Sequence, residues 1–135
     1  MIEGVLSKDI DIWWKYVDKY ISSALEYGVG EYTSQDIKEL CKKKEMQLWV
    51  KLDKGVEGAF ITQILNYPQM NILLVLVLSG KNFKSWRNET DELLQGFGKE
   101  NNCKYIELFG RKGWGNYLKD INYKEQVRVY SKEIV

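Results

Sequence analysis

Two short segments of this chain combine residue types that could do chemistry. The first is Ser79-Gly80-Lys81-Asn82-Phe83-Lys84-Ser85-Trp86, which reads as the hand-over from a strand to a helix. Backbone amides at a helix start carry partial positive charge, so a phosphate could sit there. Ser79, Gly80, Lys81, Asn82 and Lys84 are the candidate anion-binding residues. A turn that simply ends the strand and starts the helix explains Gly80 and Asn82 equally well. The second segment is Phe109-Gly110-Arg111-Lys112-Gly113-Trp114-Gly115. Arg111 presents a planar donor fork suited to an anion or a partner chain. Packing offers another account, in which the glycines permit a tight turn and Trp114 plugs the core. Arg111 is the residue that packing explains least.

Other reactive groups are few. The chain has no histidine, which removes histidine bases, Ser-His triads and histidine-liganded metals. Cys41 and Cys103 cannot make a zinc-ribbon set. Lys42, Lys43 and Lys44 beside Cys41 could lower its thiol pKa, although a helix cysteine next to a solvated lysine run is the simpler reading. Glu57, at a hairpin turn, and Glu107, inside a strand, are the carboxylates worth naming as bases, and each would need a raised pKa. Five tryptophans and nine tyrosines could form a base-stacking platform, but Trp13, Trp14 and Trp86 sit at core spacings. Trp49 falls on the polar face of its strand, so that face is expected to be covered or to meet a partner.

The elements that must position these residues emerge from periodicity. Apolar residues from Ile10 to Leu25 recur at helical spacing, which predicts a helix from about Asp9 to Tyr27, ended by Gly28 and Gly30. Ser34 is expected to cap a second helix running to Lys44. Met46 to Leu52 alternates as a strand, Asp53-Lys54-Gly55 turns, and Gly58 to Asn66 returns. Asn71 to Ser79 is apolar on both faces and belongs inside a sheet. A helix over about Asn82–Lys99, a strand over Lys104–Phe109, a short helix over Trp114–Asp120 and a last strand over Lys124–Lys132 complete the order. At 135 residues, one domain is expected. With 44% hydrophobic and 29% charged residues the chain should fold. A net charge of +1 disfavours a nucleic-acid partner. Met1 to Leu6 does not read as a signal peptide, and the longest apolar run, Ile72 to Leu78, is too short to cross a bilayer.

Several words of this text resemble the GNAT fold of acetyl-CoA-dependent N-acetyltransferases, in particular a small divergent group encoded by tailed bacteriophages and prophages. They are Phe60-Ile61-Thr62-Gln63-Ile64 with Tyr67-Pro68, Val75 to Gly80 before the helix of Trp86, and Asn102-Cys103-Lys104-Tyr105-Ile106-Glu107. Most specific is Gly110-Arg111-Lys112-Gly113-Trp114, with Leu118 and Asn122-Tyr123 after it. The resemblance spans about residues 1–133. It implies an α/β (α+β) domain with a mixed, mostly antiparallel sheet and helices on both faces. It also implies that Asn71–Ser79 and Lys104–Phe109 start parallel and diverge.

The family cradles CoA pyrophosphate with a Gln/Arg-x-x-Gly-x-Gly/Ala loop, of which Ser79 to Trp86 keeps only Gly80. Its tyrosine acid slot holds Leu118 here, with Tyr117 one residue away, and the central strand carries no carboxylate. The resemblance with these departures implies a non-catalytic bacteriophage protein with no cofactor. It would serve as a virion-associated or assembly module contacting other virion proteins or itself through Trp49, Arg111 and Trp114. Its place would be the virion or the host cytoplasm. The alternative is an active N-acetyltransferase with a divergent acetyl-CoA loop, drawing on Glu57, Glu107 or Tyr117.

Overall fold

The computed structural model describes residues 1–110 and 113–135. The chain opens with a strand, β1 (Ile2–Val5), that periodicity does not reveal. After it come α1 (Ile10–Leu25), α2 (Ser34–Lys42), β2 (Gln47–Leu52), β3 (Val56–Asn66) and β4 (Asn71–Gly80). The order closes with α3 (Phe83–Glu100), β5 (Cys103–Leu108) and the single turn α4 (Gly115–Leu118), which runs into a 3-10 turn over Lys119–Ile121. The five strands lie in chain order, β1-β2-β3-β4-β5. The first four are antiparallel neighbours, and β4 pairs parallel with β5. The expected mixed, mostly antiparallel sheet is therefore present, with β3 in the middle and β4 between β3 and β5.

Both faces of the sheet are covered. Ile10, Val17 and Ile21 of α1 and Ile37 of α2 pack with Leu48, Val50 and Ile61 on one face. Trp86 and Leu94 of α3 pack with Phe60, Leu73 and Val75 on the other. Alternation explains which strand residue serves which core, because successive side chains point to opposite faces. In β4 the alternation is interrupted. Ile61 pairs with Val77 and Thr62 with Val75, so Leu76 is an extra residue. Such a bulge inverts the facing of the residues beyond it. Val75 faces α3, whereas Val77, two residues on, packs against α1.

Three local expectations are corrected. The cap of α2 is Thr33, not Ser34. The Thr33 side chain accepts from the Asp36 amide while the Asp36 carboxylate accepts from the Thr33 amide, a reciprocal capping box. Ser34 instead donates to Asp18 and accepts from the Trp14 indole, tying α2 to α1. No strand is formed by Lys124–Lys132 among the described residues; that segment is irregular and exposed. The unexpected β1 is held by tertiary contacts. Its Ile2 amide donates to Glu89 of α3 at 2.8 Å, and Lys51 of β2 reaches the same carboxylate at 3.3 Å. Burial pushes the Glu89 carboxyl upward, but the Ile2 amide and the Lys51 ammonium together hold it below the ordinary range.

No helix is long and apolar enough to cross a membrane among the described residues.

Candidate functional site

The sheet splits where β4 and β5 part. Pairing runs from Asn71 opposite Cys103 to Val75 opposite Leu108, and the Phe109 amide still donates to the Val75 carbonyl at 3.2 Å. Beyond that point β4 continues through its Leu76 bulge to Gly80 without β5. Between the diverging strands lies a recess of about 40 Å³ lined by Leu76, Val77, Leu78, Phe109, Trp114 and, from the α1 side, Ala24 and Tyr27. The expected divergence of the two strands is thus observed, and it opens beside a β-bulge.

Most of the distinctive sequence converges on this split. Trp114 is half-buried against Phe83, with ring centroids 5.2 Å apart, and Phe83 meets Trp86 edge-on at 4.9 Å. Tyr117 contacts Trp114 at 6.4 Å but leaves its side chain 43% exposed. Arg87 of α3 clasps the segment, donating to the Tyr117 carbonyl at 2.9 Å and pairing with Asp120 at 3.6 Å. Tyr123 donates to Asp91 at 3.0 Å. Burial, reinforced by the Asp91 charge, drives its phenol well above the ordinary value, so Tyr123 stays protonated as an anchor. The expectation for Arg111 lies outside the described residues.

The hand-over loop is tied off internally. Lys81 donates its amide to the Glu57 carbonyl at 2.9 Å, and the Lys81 carbonyl accepts from the Trp86 indole at 2.8 Å. The Lys81 ammonium lies 3.7 Å from the Glu57 carboxylate. Gly80 faces Gly58 across the sheet. A Cβ at Gly80 would come within 2.7 Å of Gly58 Cα and 2.9 Å of the Trp86 ring. Gly80 therefore admits the indole rather than a ligand. Asn82 starts α3 in a left-handed conformation, φ 52°, with no side-chain cap, and Lys84 is exposed. Ser79 is half-buried at the end of β4, opposite Ala59.

The remaining candidates stand apart. Glu107 is half-buried in β5, beside Leu74 in register. Glu57, Glu107 and Tyr117 thus occupy the start of β3, the interior of β5 and α4. Trp49 is half-buried and spent on internal contacts, stacked on Phe60 at 6.0 Å, edge-on to Phe97 at 5.1 Å, and donating to Thr62 at 2.9 Å. Its face of the sheet is covered by α3 of the same chain. Cys41 is buried, which pushes its thiol up to about 12, so the neighbouring lysines do not activate it. A larger, open polar groove of about 790 Å³ lies at the other end of β4, lined in part by Tyr32, Gln47, Gln63, Asn66, Asn71 and Asn101. It takes in none of the candidate site residues. The described residues hold no cluster of metal-ligating side chains.

The resemblance implies acetyl-CoA at such a split, and the residues here do not fit it. A ligand pocket usually needs roughly 300–1,000 Å³, whereas Trp114 and Phe109 leave about 40 Å³ between the strands. At the phosphate end, Phe83 and Trp86 stand where backbone would have to be open to phosphate oxygens.

Comparison with known proteins places the architecture. No model of a known protein family and no curated protein sequence matches the chain. Among solved structures, a probable acetyltransferase superposes with a TM-score of 0.74 at 10% identity, over 100% of this chain and 98% of that one. An aminoglycoside acetyltransferase from an uncultured soil metagenomic sample, in complex with sisomicin, gives 0.71 at 13% identity, over 100% and 96%. A ribosomal-protein-alanine N-acetyltransferase from Brucella melitensis biovar Abortus 2308 gives 0.70 at 11% identity, over 99% of each chain. The chain thus has the GNAT fold of acetyltransferases, and at such identities the likeness carries the fold alone.

Proposed function

We propose that this chain uses the GNAT fold as a protein-binding module and does not transfer acetyl groups. The observation that carries the reading is Trp114, seated in the split between β4 and β5 and packed on Phe83. It occupies the space a transferase would leave for its cofactor. The loop that would hold phosphate spends Lys81 on Glu57 and Trp86. The carboxylates at hand are scattered rather than convergent. The partner class comes from the resemblance of the Gly110 to Trp114 word: another protein of a tailed-bacteriophage virion, or of its assembly.

Arg111 is the contact residue of this reading, because interface energy concentrates in Trp, Tyr and Arg. Particles purified from an infected host should contain the chain by mass spectrometry. Arg111→Ala should weaken its incorporation by about 2 kcal/mol, roughly 30-fold, while leaving thermal melting unchanged. A chain missing from the particles, or an Arg111→Ala variant that melts early and still incorporates, contradicts the proposal.

One observation favours the rival reading of a divergent N-acetyltransferase. The bulge at Leu76 and the parting of β5 leave β4 backbone facing the recess. That reading requires Trp114 to leave its seat before any cofactor enters, with Glu57, Glu107 or Tyr117 left to handle protons.

A further inference from the structure

Among the described residues, one sheet edge and one segment of this chain each lack a strand partner, and each has what the other needs. β5 is the last strand of the sheet, with β4 as its one neighbour. It is six residues long and carries Tyr105 at 56% exposure. An edge of that kind presents a row of unpaired amides and carbonyls and is a template for another strand. β5 contains neither a proline nor a glycine that would blunt it. The segment Gln126-Val127-Arg128-Val129-Tyr130-Ser131-Lys132 is the complement. It alternates, is rich in residues that favour strands, and has no secondary structure. Its apolar side chains stand open to solvent, with Val127 at 77%, Val129 at 83% and Tyr130 at 87% exposure.

We infer that this segment adds to the β5 edge of a second copy, so that two copies exchange strands across a two-fold axis. The observation that selects a second copy is the point from which the segment departs. Tyr123 is bonded to Asp91, and Arg87 holds the Tyr117 carbonyl and Asp120. These contacts fix the root of the segment on the flank of α3, and every residue from Lys124 onward is exposed. Reciprocal exchange satisfies both edges and both segments at once and closes on itself, which is the usual form of a homodimer. It also fits the charges. Lys104 and Glu107 on β5 and Lys124, Glu125, Arg128, Lys132 and Glu133 in the segment are mixed in sign, so neither surface repels a copy of the other. Main-chain hydrogen bonds would carry the affinity, as in other strand additions.

The inference does not depend on whether the split binds a cofactor. Its test is the solution mass of the full chain by light scattering, together with amide exchange of the segment. Wild type should run at twice the 15.9 kDa chain mass, with the amides of Val127 to Tyr130 protected. Val129→Pro removes a donor from the middle of the added strand and should return the chain to single mass with those amides fast. Val127→Pro should do the same independently. Both variants should keep the wild-type melting of the monomer fold, because Val127 and Val129 are outside both cores. A single-mass wild type overturns the proposal. If its segment is nevertheless protected, the strand pairs within its own chain. A double mass that survives both proline variants overturns it too, since the copies then meet elsewhere.

Discussion

Replacing Trp86 by alanine is expected to cost about 3–5 kcal/mol, as for large aromatic residues removed from a core. Trp86 is 2% exposed and is the largest fully buried side chain. It joins three parts of the molecule. Its ring lies over the paired Gly58 and Gly80, its edge meets Phe83, and its indole nitrogen donates to the Lys81 carbonyl at 2.8 Å. The alanine variant therefore loses apolar burial, leaves a cavity and strands an acceptor. Domains of this size are stable by roughly 5–15 kcal/mol in total, so the variant should sit near the limit of folding. Urea denaturation monitored by circular dichroism reads the loss directly. Trp86→Phe keeps most of the ring and should cost about half as much. A Trp86→Ala loss below about 1 kcal/mol would mean that the indole does not bridge the sheet and the hand-over loop.

The second large effect is expected at Gly80. A methyl group there would lie 2.7 Å from Gly58 Cα and 2.8 Å from the Glu57 carbonyl, both backbone, and 2.9 Å from Trp86. Two of these atoms cannot swing aside, so β3 and β4 would have to separate. Overpacking usually costs about 1–3 kcal/mol, and Gly80→Ala belongs at the upper end. The same denaturation experiment checks it. The control is Gly96→Ala, whose added Cβ meets nothing within 4 Å on a helix; it should be neutral or stabilising. If Gly80→Ala folds as stably as wild type, the glycine is there for a ligand's approach instead, and the phosphate-loop reading regains its footing.

Gly80 marks what a sequence can and cannot convey. Its position between a strand and a helix was legible, and both a ligand role and a packing role were consistent with it. Only the register that sets Gly80 against Gly58, with the Trp86 ring above, separates them. Helices α1 and α3 and strands β2 to β5 were legible because each buries a face with its own period. Strand β1 was not, since four residues with two exposed give no periodic signal and its acceptor, Glu89, lies 87 residues away. The capping box Thr33-x-x-Asp36 was readable, but the adjacent Ser34 offered an equally good cap by residue type. Trp49 shows a different limit. Period two says which residues share a face and nothing about whether that face is covered. The Leu76 bulge left no mark at all in an unbroken apolar run. For Lys124 to Lys132 the alternation resembles a strand, yet a strand exists only with a neighbour.

In the split between β4 and β5, backbone and side chains work against each other. The fold brings the two strands apart beside a bulge, as the resemblance implied, and the side chains of Phe83, Trp86, Phe109 and Trp114 then close what the backbone opened. Architecture and chemistry are thus separable in this chain. Calorimetric titration of the full chain with acetyl-CoA tests that separation most directly. No saturable heat is expected, which places any dissociation constant weaker than about 1 mM. Saturable binding in the micromolar range, with one equivalent per chain, would contradict the account, because it would require Trp114 to yield its seat and the hand-over loop to release its amides.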